Sequence, residues 1–176
     1  MRAGIMALSA AVAATAAGAT AWWFLWSSPL VAVPATNVAL PDVELGVPQT
    51  VMVALLCLDG DEAATIDRIT VDPAGLTVTD FAVRRSSAGP GIGAVDGPLR
   101  ESGLDGGRTV AAECAEGAWS ELAVELSRVN GPAHTDVVSI HWRAGVRSGV
   151  LPVEAPVTLC APAPRDERCT PVAAGS

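Results

Sequence analysis

Apolar and polar side chains alternate with a period of two along much of the chain. In "DVVSIHWR", residues 136–143, the apolar side chains fall on one face of a strand and His141 falls on the other, solvated face. Residues 66–72, "IDRITVD", alternate in the same way and lead into "DPAG", a turn with Pro at its second position. The pattern therefore predicts strands that each bury one face.

Three further stretches need more than simple alternation. Residues 76–84, "LTVTDFAVR", place apolar side chains first on even and then on odd positions, so we expect a β-bulge at Thr79-Asp80. Residues 51–58, "VMVALLCL", are apolar throughout, which predicts a central strand covered on both faces. Residues 119–128, "WSELAVELSR", fit a helix or a strand, and Val124 favours the strand because a helix would place it on the polar side.

Turn residues and prolines organise the later strands. Asn130-Gly131 predicts a hairpin turn between residues 119–128 and the strand that follows. Pro152 and Pro156 are four apart, so their missing N–H groups lie on the same side of the last strand, "GVLPVEAPVTLC". We therefore expect that strand at a sheet edge, which the prolines protect from further pairing.

These elements together predict an all-β fold. Beyond residue 26 the chain shows short strands, turn signals about every ten residues and no sustained helix. We expect an antiparallel β-sandwich over residues 51–160, immunoglobulin-like in architecture alone. Such a sandwich hosts many unrelated functions and implies none by itself.

The start of the chain is predicted to cross a membrane. Ala3 to Trp26 comprises 24 residues without a charge, and as a helix they would span about 36 Å against a hydrocarbon core of ~30 Å. The aromatic side chains gather at the far end, as at a membrane interface: Trp22, Trp23, Phe24 and Trp26. We expect one transmembrane anchor over residues 1–26, with Arg2 in the cytoplasm and the domain outside the cell membrane.

A cleaved signal segment is the alternative. The middle of the segment is mostly Ala, and Val33-Pro34-Ala35 is an acceptable cleavage site, so secretion after a cut near Ala35 stays open. In either case, the prolines of residues 27–50 disfavour helix and predict an extended stalk between the segment and the domain.

Export determines how the cysteines are interpreted. Cys57, Cys114, Cys160 and Cys169 all follow the membrane segment, in a compartment where disulfides persist. Four cysteines allow three pairings. The short spacing in "CAPAPRDERC" favours a disulfide between Cys160 and Cys169, which leaves Cys57 to pair with Cys114. The Cys160–Cys169 bond would close a loop in the C-terminal tail, residues 161–176.

Charge and motifs argue against several classes of function. The 19 acidic residues outnumber the 11 basic ones and give a formal net charge of −8, so nucleic acid would be repelled. "GPGIGA", residues 89–94, contains Pro and follows no strand, unlike a nucleotide-binding loop. "DGDE", residues 59–62, lacks the remaining ligands of a calcium loop. Neither His134 nor His141 stands beside a nucleophile, and we expect no catalytic residue, metal or cofactor.

Residues 86–108 are the longest stretch without a clear element. Their 23 positions include seven Gly and two Pro, and a loop of this length is uncommon in a compact domain unless it is functional or mobile. We expect a protein-binding surface at one end of the sandwich that uses the apolar side chains of this loop: Ile92, Val95, Leu99 and Leu104. The alternative is a tolerated insertion whose apolar side chains pack on the sandwich or form a short strand.

Together, these features favour a noncatalytic protein of a bacterial cell envelope. The absence of Lys and the abundance of Ala, Gly, Pro, Val and Arg are typical of a GC-rich bacterial genome. We expect an interaction or structural module, tethered to the membrane, that contacts another envelope or membrane protein. A domain that binds a small ligand or an ion is the alternative.

Retention in the membrane is testable on the full-length chain. We expect the chain to stay in the pellet after alkaline extraction of membranes and to keep its full mass, because an uncharged helix of about 36 Å is long enough to cross. A soluble product that begins at Thr36 would contradict the anchor.

Overall fold

The computed structural model describes residues 28–35, 37–72, 75–86, 93–104, 107–162 and 169. Within these residues, no helix is long and apolar enough to cross a membrane. The predicted anchor over residues 1–26 lies outside them.

Ten strands provide most of the regular structure in the described part of the chain. They are β1 (Leu30–Pro34), β2 (Val38–Leu40), β3 (Gln49–Leu58), β4 (Ala64–Val71), β5 (Leu76–Arg85), β6 (Ala94–Asp96), β7 (Thr109–Val110), β8 (Ser120–Arg128), β9 (Ala133–Ala144) and β10 (Arg147–Leu159). Two 3₁₀ turns, Leu99–Glu101 and Cys114–Glu116, precede β7 and β8 respectively. The all-β prediction is confirmed.

The strands form two sheets that enclose one core. The first sheet has the order β1-β3-β8-β5, and β6 also pairs with β3. The second sheet has the order β2-β10-β9-β4-β7. All these pairs are antiparallel except β2 with β10, which is parallel. The architecture is therefore a β-sandwich built from largely antiparallel sheets.

The core is aliphatic and follows the period of two that the sequence shows. In β9, for example, Val138, Ile140 and Trp142 are buried, as predicted from their shared face. The largest fully buried side chains include Leu56, Ile66, Leu122, Leu126, Ile140 and Leu159. Burying one such side chain contributes roughly 1.5 to 3 kcal/mol, so this burial determines which face of each strand points inward.

Two strands of the first sheet that depart from simple alternation or were ambiguous have the predicted form. Ser120–Arg128 is a strand, and Val124 is fully buried in it. β5 contains the expected bulge, between Val78 and Asp80 in its register with β8. The extra residue restores the phase, so that apolar side chains on both sides of the bulge point into the core.

The segment expected to form a stalk contributes strands to both sheets. β1 pairs with β3 from Leu30, opposite Leu58, to Pro34, opposite Ala54, and β2 runs beside β10. β3 is central, as predicted, with β1 and β6 on one side and β8 on the other. The sandwich thus begins at Leu30, within residues 27–50.

The hairpin expected at Asn130-Gly131 is wrong. β8 lies in the first sheet and β9 in the second, so residues 129–132 connect the two sheets. The physical reason is that β3 and β5 already occupy both edges of β8, which leaves no free edge for β9. A two-residue hairpin instead joins β9 to β10 through residues 145–146.

β10 lies at a sheet edge for most of its length, as its prolines predicted. It pairs with β9 from Arg147 to Leu159, interrupted by an irregularity in register between Glu154 and Val157, whereas β2 covers only Val157–Leu159 on the other side. Between Arg147 and Pro156, no described strand pairs with that outer side. Pro152 and Pro156 hinder the addition of another strand there because they lack N–H donors.

The two disulfides pair as the sequence favoured. Cys57, near the end of β3, is bonded to Cys114, in the 3₁₀ turn before β8, across 57 residues of sequence. Cys160 is bonded to Cys169 across 9 residues. The first bond therefore restricts the unfolded chain more strongly than the second.

This difference predicts which of two double variants loses more of the free energy of unfolding. Replacing Cys57 and Cys114 together by Ala should lower the free energy of unfolding by about 4 kcal/mol, and replacing Cys160 and Cys169 by about 3 kcal/mol, because closure entropy grows with loop length. Urea unfolding of the two double variants measures both losses. A larger loss from the Cys160 and Cys169 pair would contradict the prediction.

Candidate functional site

Residues 93–104, here called the strap, cross the outer face of the first sheet. At its start, β6 pairs with Gln49–Val51 of β3. Beyond its end, Gly107 pairs with Val83 of β5, and β7 then joins the second sheet beside β4. The chain therefore passes over the first sheet from β3 to β5 before it changes sheets.

Leu99 attaches the strap to the sheet. Ala82 of β5 and Ala123 of β8 stand directly opposite each other, and their small side chains leave a depression. Leu99 packs there and is only 5% exposed, while Leu104 packs against the same group. Because burial of a leucine contributes roughly 1.5 to 3 kcal/mol, the strap is part of the folded domain.

Hydrogen bonds fix the strap on both sides of Leu99. Thr50 Oγ1 donates to the carbonyl oxygen of Gly97 at 2.9 Å. The backbone N–H of Leu99 donates to Glu125 Oε2 at 2.8 Å, and Ser102 Oγ donates to the Leu99 carbonyl at 2.6 Å. Glu125 therefore binds a backbone N–H of the strap, and this contact does not depend on which side chain stands at position 99.

An ion pair between buried Glu121 and exposed Arg84 lies beside the strap. Glu121 of β8 accepts from Arg84 Nε at 2.6 Å and from Ser86 Oγ at 3.1 Å. Both Glu121 and Arg84 line a cavity of about 40 Å³ between the strap and the sheet. A cavity of this size has room for only about one to three water molecules, so it offers no space for an organic ligand. A more open hollow of about 260 Å³ lies at the β5 side of the strap and is lined by Phe81, Leu99 and Arg108, among others.

The predicted contact residues of the loop differ in how far the structure buries them. Val95 lies in β6 and is half-buried, Leu99 is buried, and Leu104 is half-buried. Ile92 lies outside the described residues. Leu99 and Leu104 are brought together on Ala82 and Ala123, as in the alternative in which these side chains pack on the sandwich. The buried side chain of Leu99 is therefore not available to a partner.

A larger hollow lies at one end of the sandwich, where β8 ends. Its lining consists of Glu44, Leu45, Arg128, Gly131, Ala161 and Pro162, and its volume is about 500 Å³. Arg128 is only 3% exposed. Its Nε and Nη2 donate to the carbonyl oxygen of Val43 at 2.9 and 2.6 Å, and its Nη1 donates to the carbonyl of Gly131. The guanidinium thus joins the loop before β3 to the loop after β8.

Exposed apolar residues lie in the loops that flank Arg128. Leu45 is 60% exposed, Val129 58% and Val47 38%, and the backbone of Leu45 bridges to that of Arg128. We call Leu45, Val47, Arg128 and Val129 the end surface. β3 begins near it at Gln49 and ends at Leu58, which pairs with Leu30, so the end surface is opposite the end at which the described chain begins.

Sequence reasoning missed the end surface, although one signal was present. The inward positions of β8 follow a period of two through Leu122, Val124 and Leu126. The next inward position is Arg128, and a charged residue at an inward position of a strand needs buried partners. The exposure of Leu45 had no sequence signal, because it lies in a loop rather than in a periodic element.

The remaining candidate motifs are separate from the end surface. Residues 59–62 are exposed, and Glu62 pairs with Arg147 at 3.3 Å.

Both histidines lie on the outer face of the second sheet. His141 contacts Thr70 and Arg68, and His134 contacts Thr158 and Asp136. In the described residues, no three His, Cys, Asp or Glu side chains form a group that could hold a metal ion. Most of the "GPGIGA" stretch lies outside the described residues.

Comparisons with known proteins leave the family open. No family model matches the chain, and no curated protein matches it. Among solved structures, the chain is similar to "Structure of Vibrio cholerae VesB protease", with 13% sequence identity and a TM-score of 0.37. The similarity covers 81% of this chain and 35% of that chain. A likeness this weak carries no argument about fold or function.

The packing of the strap predicts a contrast between two leucines. Leu99→Ala should lower the free energy of unfolding by about 2 to 4 kcal/mol, because it removes buried contacts with Ala82 and Ala123. Leu45→Ala, the matched control, should change it by no more than about 0.5 kcal/mol, since Leu45 is exposed. Urea unfolding measures both, and equal losses would contradict the packing of the strap.

Proposed function

We propose that this chain is a noncatalytic, membrane-tethered module of a bacterial cell envelope, whose sandwich lies outside the cytoplasm and contacts another envelope or membrane protein. The observation that carries the proposal is the end surface. It presents exposed Leu45, Val47 and Val129 together, at the end of the sandwich opposite Leu30. Grouped apolar side chains on a surface are typical of protein–protein contact.

The tether and the location are supported by two independent features. The uncharged stretch from Ala3 to Trp26 is long enough to span a bilayer. All four cysteines are paired, which fits an oxidising compartment outside the cytoplasm. In such an arrangement the sandwich is joined to the bilayer from the end at which Leu30 lies, and the end surface points away from it.

We further propose that the sandwich is immunoglobulin-like. Taken in chain order, β1, β3, β4, β5, β8, β9 and β10 reproduce the two sheets of a constant-type domain, with four strands in one and three in the other. β2, β6 and β7 are short additions. One departure is that the bond between Cys57 and Cys114 joins β3 to the turn before β8, whereas antibody domains link the two sheets. This architecture supports an interaction module without specifying its partner.

The alternative is a domain that binds a small ligand, and the hollow at the end surface favours it. Its volume of about 500 Å³ falls within the range of ~300 to 1,000 Å³ found for ligand pockets. The described lining offers one buried charged group, Arg128, and few convergent polar side chains besides it. Leu45 lines the hollow, but Val47 and Val129 do not. A protein partner would cover these exposed valines, whereas a small ligand in the hollow would leave them in water.

Isolation of the native complex tests the proposal. The tagged full-length chain, expressed in its native host and extracted from membranes in mild detergent, should co-purify with an envelope protein in constant ratio. A control chain keeps residues 1–27 but carries an unrelated exported domain, and it should not recover that protein. Recovery by both chains, or a tagged chain that elutes alone, would contradict a partner that recognises the sandwich.

A further inference from the structure

We propose that the end surface binds an acidic segment of the partner protein, with a carboxylate on the Arg128 guanidinium and an adjacent apolar side chain on Leu45 and Val129. This inference rests on the proposed function, because it specifies the chemistry of the same contact.

Among the described residues, Arg128 carries a buried charge without a counter-charge. Its hydrogen-bond partners there are backbone carbonyl oxygens, those of Val43 and Gly131. No carboxylate of the described residues forms an ion pair with it. Carbonyl dipoles satisfy part of the guanidinium, but a buried positive charge is compensated best by an anion.

The hydrogen-bond count leaves donors for that anion. A guanidinium has five N–H groups. Nε, Nη1 and Nη2 each use one on a backbone carbonyl, so one N–H on Nη1 and one on Nη2 have no partner in the described part of the chain. Two such N–H groups can donate in parallel to the two oxygens of one carboxylate. Arg128 lines the hollow but is only 3% exposed, so a carboxylate reaches both N–H groups only if the loops at Val43 and Gly131 shift apart slightly on binding.

The surroundings of Arg128 favour this contact in two further ways. The carbonyl of Val43 accepts from two nitrogens of the guanidinium, so the side chain is already fixed and loses little entropy on binding. Leu45, Val47 and Val129 are exposed in the loops that flank Arg128, and a partner that covered them would exclude water from the contact. Exclusion of water strengthens a charged hydrogen bond, and an arginine flanked by apolar side chains is typical of the energetic centre of an interface.

Position and charge favour a protein partner over a lipid surface or a second copy of this chain. The end surface is opposite the end that holds Leu30, and so points away from the bilayer in a tethered chain. A symmetric pair of copies in contact through this surface would bring two Arg128 side chains together, which is repulsive. An acidic segment with an apolar neighbour complements both the charge and the valine and leucine side chains.

Glu44 lies on the rim of the hollow and supplies an internal control. Its carboxylate is exposed and forms no ion pair with Arg128. It would repel an incoming acidic side chain, or compete with it for Arg128. In either case, Glu44→Gln should strengthen binding of an acidic segment, by about twofold at low salt.

A short peptide pair tests the chemistry without altering Arg128. The probe is acetyl-Leu-Asp-Leu-amide, and its uncharged counterpart has Asn in place of Asp. Both are titrated into the full-length chain in detergent micelles, with ¹³C-labelled Leu and Val methyl groups followed by NMR. The Asp peptide should shift the methyl signals of Leu45 and Val129 in a saturable way, and the Asn peptide should bind about tenfold more weakly. The signals of Val146 and Val150, which are also exposed, should not move.

Two single variants then distinguish peptide binding at the end surface from binding elsewhere on the domain. Leu45→Ser should weaken binding of the Asp peptide roughly fivefold without changing the thermal midpoint, and Val146→Ser, at the hairpin of the opposite end, should leave binding unchanged. Equal binding of the Asp and Asn peptides would overturn the inference. Shifts centred on Val146 or Val150 would also overturn it. So would shifts of the Leu45 signal that appear without peptide, either when the protein is concentrated or when anionic lipid vesicles are added.

The outcomes also distinguish this inference from the proposed function. If the Leu45→Ser chain still recovers the envelope partner in full, the inference is wrong while the interaction module stands. If the native chain recovers no partner but binds the Asp peptide at Leu45, the binding chemistry stands and the proposed function is wrong.

Discussion

The structure depends on the unbroken two-residue alternation of β8. This strand has a neighbour on each side, β3 and β5, and both neighbours contain the irregularities in register while β8 itself stays regular. Its inward side chains, Leu122, Val124 and Leu126, are fully buried in the core. Its outward side chains hold the strap, through Ala123 under Leu99 and through Glu125 on the backbone. Because the period is two, a shift by one residue would exchange these faces and remove both the core and the strap site.

The same alternation produces the end surface. After Leu126, the next inward position is Arg128, where the sandwich ends and loop carbonyls replace apolar neighbours. The guanidinium joins the loop that contains Val43 to the loop that contains Gly131, and so fixes the backbone beside Leu45 and Val129. A structural role for Arg128 and a binding role are therefore compatible, since the contacts that hold the loops also fix the guanidinium for an anion.

Local patterns predicted much of the fold, whereas long-range arrangement needed the structure. The bulge near Thr79, the strand around Val124 and the pairing of Cys160 with Cys169 each follow from a few consecutive residues. The hairpin at Asn130-Gly131 was wrong because turn chemistry cannot show that both edges of β8 are occupied. The packing of Leu99 on two alanines joins residues far apart in sequence, and no period reveals it. Arg128 had a local signal, its inward phase, but its carbonyl partners lie in loops.

The central claim is that the partner binds the end surface and leaves the strap in place. Backbone hydrogen exchange of the full-length chain, measured with and without the co-purified partner, tests it most directly. The account predicts slower exchange at residues 43–47 and 128–131 on binding, and unchanged exchange at residues 93–104 and 144–147. Slower exchange at residues 93–104 or 144–147, with residues 43–47 unaffected, would contradict it.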